Sequence, residues 1–68
     1  VVWKLNINGE GVNLSQARAI WLREREDWEV IAGFPDGSLD IMARRGSETS
    51  ARDLLVELVR ALNGERRA

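Results

Sequence analysis

The apolar positions along this chain change period from strand to helix and back. Residues 1–7 alternate, with Trp3, Leu5 and Ile7 on one face and Val2, Lys4 and Asn6 on the other. That two-residue period predicts a half-buried strand. Asn8-Gly9-Glu10-Gly11 interrupts it. Beyond the break Leu14, Ala17, Ile20 and Trp21 share one face of a helical wheel, with Arg18, Arg23 and Arg25 elsewhere and Glu24 intruding on the apolar side. Asn13 has the chemistry of an N-cap, and Gln16 three residues on completes a capping box. A first helix is therefore predicted from Asn13 to about Glu26 or Asp27. The final stripe is the strongest: Ala51, Leu54, Leu55, Leu58, Val59 and Leu62 recur at helical spacing. Ser47, Thr49 and Ser50 compete to cap this second helix, and Ser50 to Asp53 has capping-box spacing. Asn63-Gly64 predicts its stop.

Between the two helical stretches lie two apolar runs around one turn, Trp28–Phe34 and Ser38–Arg45. Pro35-Asp36-Gly37 suits a type I turn closed by a glycine bulge. Proline presets the first turn position, and Gly37 supplies the positive φ. A three-residue loop puts Phe34 opposite Ser38, Ile31 opposite Ile41 and Val30 opposite Met42. The second strand then turns Leu39, Ile41 and Ala43 inward together with Ile31, Gly33 and Glu29. Hydrophobic pattern alone selects the opposite face of the first strand, Trp28, Val30, Ala32 and Phe34. A one-residue slip exchanges the faces, so the two readings conflict unless a bulge intervenes. With turn chemistry given precedence, Trp28, Val30, Phe34 and Met42 fall on a helix-free face.

The order strand, helix, strand, strand, helix predicts an α+β fold. Short connections and right-handed crossovers favour a three-stranded antiparallel sheet of order 1-3-2 with both helices on one face. One domain spans residues 1–68, with residues 64–68 frayed. The first strand has an outer edge with Val1, Val2 and Trp3, guarded only by Lys4.

Composition narrows the chemistry. The chain has 68 residues, 44% of them hydrophobic, and a net charge of −1. It supports one small core and carries no sequence-wide field for nucleic acid or membrane. It contains neither Cys nor His. Disulfides, thiolate nucleophiles and the commonest general base and metal ligand are thereby excluded. No apolar run is long enough to span a bilayer and no leader pattern precedes the fold, so a soluble, cytoplasmic protein is expected. Arginine outnumbers lysine nine to one, but the arginines are dispersed. Asn8-Gly9-Glu10-Gly11 is not a phosphate loop, because Glu10 repels phosphate and no Lys follows. Glu24, Glu26, Asp27 and Glu29 point different ways around a helix end and make a poor cation site. Trp3 and Trp21 are assigned to the core, and Trp28 depends on the hairpin register.

From about Leu5 to Leu62 the chain resembles the acylphosphatase family. Glu10-Gly11-Val12-Asn13-Leu14-Ser15 stands where that family has a glycine-rich loop of the type Q-G-V-G-F-R. Ile31-Ala32-Gly33, before the hairpin turn, stands where it has V-x-N. The resemblance implies a ferredoxin-like scaffold. Its phosphate-holding Arg falls on Ser15 and its water-positioning Asn on Gly33, so the resemblance does not carry the hydrolase activity here.

The resulting expectation is a non-enzymatic module without cofactor or metal. It binds a protein partner or a second copy of itself through a surface comprising Val2, Lys4, Trp28, Val30, Phe34 and Met42. Clear caps and consensus turns also fit a designed scaffold with no evolved function. The alternatives are a degenerate or truncated acylphosphatase-like hydrolase and a nucleic-acid-binding module.

Overall fold

A computed structural model of the chain describes the backbone of residues 1–67 and the side chains through residue 65. It contains five strands and one α-helix: β1 (Trp3–Leu5), β2 (Gly11–Asn13), a single 3-10 turn (Leu14–Gln16), β3 (Ala19–Glu24), β4 (Trp28–Gly33), β5 (Leu39–Arg45) and α1 (Glu48–Arg67). β1 and β2 form a small antiparallel hairpin, and β3, β4 and β5 form a separate antiparallel meander. The expected β-α-β-β-α order, with two helices on a 1-3-2 sheet, is therefore wrong. Its first helix is absent, and its first strand pairs with β2 rather than with the strand after the hairpin.

The stretch read as that first helix divides into a strand end, one 3-10 turn and a six-residue strand. Asn13 does cap, its side chain accepting from the Ser15 backbone N–H at 3.1 Å. The turn closes after Gln16, because Ala17 is already extended (φ −68, ψ 137). Downstream a two-residue period takes over: Ile20 and Leu22 pack against the core, while Trp21 and Arg23 alternate to the other face. The helical reading left Leu22 out of its apolar face and placed Glu24 in it. The strand sets Leu22 beside Ile20 against the core, and Glu24 is exposed as its last residue.

β1 also inverts its expected faces. Trp3, Leu5 and Ile7 are 63%, 67% and 39% exposed, whereas Val2 packs on the core and Asn6 is buried. Asn6 turns inward because every polar atom of its amide finds a partner there. Its Oδ1 accepts from the backbone N–H groups of Asn8 and Glu10, both at 2.9 Å. Its Nδ2 donates to Glu10 Oε1 and Asp40 Oδ1, both at 3.1 Å. A buried amide satisfied in this way fixes the β1–β2 loop more firmly than an apolar side chain would.

In the central hairpin the turn behaves as its chemistry dictates. Gly37 has φ +89, and Phe34 and Ser38 oppose each other through a 2.9 Å backbone bond. Ile31 lies opposite Ile41 and Gly33 opposite Leu39, as the loop length requires. Val30 pairs with Ala43 rather than Met42, across a register irregularity between Val30 and Ile31. That bulge reconciles the turn with the hydrophobic pattern. Met42 and Ala43 are both buried, and Met42 joins Val30 and Ala32 in the core. The face that receives the helix is thus Trp28, Val30, Ala32 and Phe34, and not the face of Leu39 and Ile41.

α1 covers that face. Ala51 and Leu58 join Val12, Leu14, Val30, Ala32 and Met42 in one cluster, with Leu54, Leu55 and Leu62 packed around it. Ser47 is the N-cap, its Oγ accepting from the Ser50 N–H at 3.2 Å. The Ser50–Asp53 capping box does not form. Gly64 does not end the helix either, and Gly64 and Glu65 are helical rather than frayed. The last turn has an anchor, since Ser15 Oγ donates to Glu65 Oε2 at 2.6 Å. Ala68, assigned to the frayed tail, lies outside the described residues.

Candidate functional site

With α1 on one side of the meander, the other side has no helix over it. The pairing register arranges this face in three rows across the strands. Ala19, Gly33 and Leu39 form the row nearest the central turn. Trp21, Ile31 and Ile41 form the middle row. Arg23, Glu29 and Arg44 form the row nearest the β3–β4 connection. Two rows are apolar and one is ionic.

The apolar rows are held by one close approach. A side chain at Gly33 would come within 2.8 Å of two carbons of the Trp21 indole and 3.4 Å of Leu39. Only glycine leaves room for the ring to lie across β4 at that point. Ile31, in the central strand, is fully buried although no helix covers it, while Trp21 and Ile41 beside it are half-buried. Leu39, at the margin, is 54% exposed.

The ionic row centres on Glu29, whose side chain is 4% exposed. Arg44 Nε donates to Glu29 Oε2 at 2.9 Å, and Arg23 Nε donates to Oε1 at 2.9 Å. The hydrogen bond from Arg44, followed by that from Arg23, holds the Glu29 carboxyl below its usual range despite the opposing cost of desolvation. Both carboxylate oxygens are used, so this acid is fixed in its ionised form by cross-strand partners. Its folded-state pKa is lowered, so the stabilisation is complete above the unfolded value and is lost as pH falls through the folded one. We therefore expect wild type to melt above Glu29→Gln at neutral pH. The gap should narrow as pH falls below about 4. Thermal melts of both proteins across pH check this, and a gap that stays constant into acid would refute it.

The residues anticipated as a partner surface lie elsewhere. Val30 and Met42 are core residues, and Val2, Trp28 and Phe34 border the same core. Lys4 is exposed and pairs across the small hairpin with Val12. The element that covers most of this set is the chain's own helix. Glu24, Glu26 and Asp27 are exposed around the β3–β4 connection, apart from the buried Glu29. No group of three or more potential metal-binding side chains occurs among the described residues. Ser15 is bonded to Glu65, and Gly33 lies beneath Trp21. Sequence reasoning missed Trp21, Leu39 and Ile41 as surface residues. The available signal was the alternation Ile20-Trp21-Leu22-Arg23, which a strand reading would have split between two faces. Among the described residues no helix is long and apolar enough to cross a membrane.

No family model, curated protein or solved structure matches this chain.

Proposed function

We propose that this chain is a non-catalytic interaction domain that self-associates through the helix-free face of its sheet. The observation that carries the reading is the pair of apolar rows built on Trp21, Ile31, Ile41 and Leu39, which no helix among the described residues covers. Leu39 is exposed and Trp21 and Ile41 half-buried on this face, an apolar surface that supports association. A second copy fits it by symmetry. The arginine row lies at one end of the face and the turn bearing Asp36 at the other. A two-fold axis near Ile31 sets each copy's arginines towards the other's Asp36, and packs the apolar rows between two aligned sheets. The non-catalytic reading is supported by the absence of His and Cys. The commitment of both Glu29 oxygens to guanidinium groups supports it as well.

Light scattering across concentration tests the proposal. The solution mass should rise from 7.7 kDa towards twice that value as protein enters the high micromolar range. Leu39→Lys places a charge on an exposed position of the patch. It should hold the mass at the monomer value, with the same melting temperature as wild type at protein concentrations where both are monomers. A wild-type mass that stays at the monomer value throughout would overturn the reading.

A further inference from the structure

A second surface feature lies away from the helix-free face. The β1–β2 hairpin and the turn between β4 and β5 enclose an open cleft of about 540 Å³. Trp3, Phe34 and Pro35 provide apolar walls, and Asp36 and Asp40 provide the charge. Among the described residues no lysine or arginine lines it. The Trp3 ring rests near Gly11, where an added side chain would start 3.8 Å from Cε3. The residue is nonetheless 63% exposed, so much of the indole remains open.

The charges are placed by the fold rather than left to solvent. Asn6 Nδ2 draws Asp40 Oδ1 and Glu10 Oε1 to the same nitrogen, each at 3.1 Å. Of these two carboxylates Asp40 lines the cleft, held in place by the Asn6 amide. Asp40 Oδ2 takes no hydrogen bond from the described residues. Asp36 Oδ1 accepts from Ser38 Oγ at 2.6 Å and from the Ser38 N–H at 2.9 Å. These bonds to Ser38 hold the Asp36 carboxyl below its usual range and keep it charged at neutral pH.

An exposed indole beside fixed carboxylates, with no cation among the described residues that line the cleft, has a specific complement. We propose that this cleft receives an arginine side chain from a partner polypeptide, its guanidinium stacked on Trp3 and neutralised by Asp40. A planar guanidinium meets both demands at once, whereas an ammonium offers no stacking plane. The same carboxylates repel phosphate, which disfavours nucleic acid and anionic lipid as occupants.

The test is an NMR titration of isotope-labelled protein with a blocked Gly-Gly-Arg-Gly-Gly peptide, using a citrulline peptide of equal shape as the uncharged control. The arginine peptide should shift the Trp3 indole N–H and the backbone amides from Phe34 to Asp40. Saturation is expected with a Kd on the order of 1 mM. The citrulline peptide should bind about tenfold more weakly. Trp3→Ala and Asp40→Asn should each weaken binding about fivefold while the rest of the spectrum stays native. Trp3→Leu retains apolar bulk without the aromatic face, and serves if Trp3→Ala perturbs the hairpin. The proposal is overturned if shifts are absent at about 20 mM peptide. Equal binding of the citrulline peptide, or shifts unchanged in both Trp3 variants, would overturn it too.

Discussion

Leu58→Ala is expected to lower the unfolding free energy by about 2–5 kcal/mol. Leu58 is 5% exposed and sits in the cluster where α1 meets Val30, Ala32 and Met42. Shortening it leaves a cavity that β4, paired on both sides, cannot collapse to fill. A small domain has only about 5–15 kcal/mol in total, so the loss is a large share. Val59→Ala is the internal control. The sequence pattern placed Val59 in the same stripe, but it is 40% exposed and outside the cluster. It should cost well under about 1 kcal/mol. Urea titrations of the two variants separate the cases. Near-equal losses would mean that the helix does not dock through the Leu58 side.

Gly37→Val is expected to destabilise by more than about 1 kcal/mol, for a different reason. Nothing lies within 4 Å of a side chain added at Gly37, so no collision is involved. The cost is the backbone itself, held at φ +89, which a β-branched residue avoids. Gly46 supplies the comparison. It is equally open but does not have a positive φ. Gly46→Val should therefore be close to neutral, and thermal melts of the pair isolate the conformational term. If Gly37→Val melted with Gly46→Val, the loop would not need its left-handed residue.

The sequence was informative where local chemistry acts alone. The Pro35-Asp36-Gly37 loop set the register of β4 on β5, and the leucine stripe of α1 marked a true helix. The same loop logic applies a second time, between β1 and β2. Asn6 and Glu10 close on each other as Phe34 and Ser38 do, with Gly9 at φ +80 in the position of Gly37. Asn8-Gly9 therefore closes a hairpin rather than breaking the chain before a helix. What local chemistry does not encode is which face of the sheet a distant helix covers. That depends on Met42, whose position at the bulge adds bulk to one side of β5. Val30 and Met42 of the expected partner surface lie in the core for this reason, and the helix-free face combines Trp21 of β3 with Leu39 and Ile41 of β5.

Each strand in this molecule pairs with its neighbour in the chain, and the helix comes last. The three hairpins close over short loops, which form in microseconds and need no distant segment. During synthesis the sheet can therefore assemble before α1 has emerged. In that interval Val30, Ala32 and Met42 face water, and the chain exposes apolar surface on both sides of the meander. Docking of the helix is the step that makes the two sides different. A nascent chain stalled before Glu48 would be the most aggregation-prone species this sequence produces.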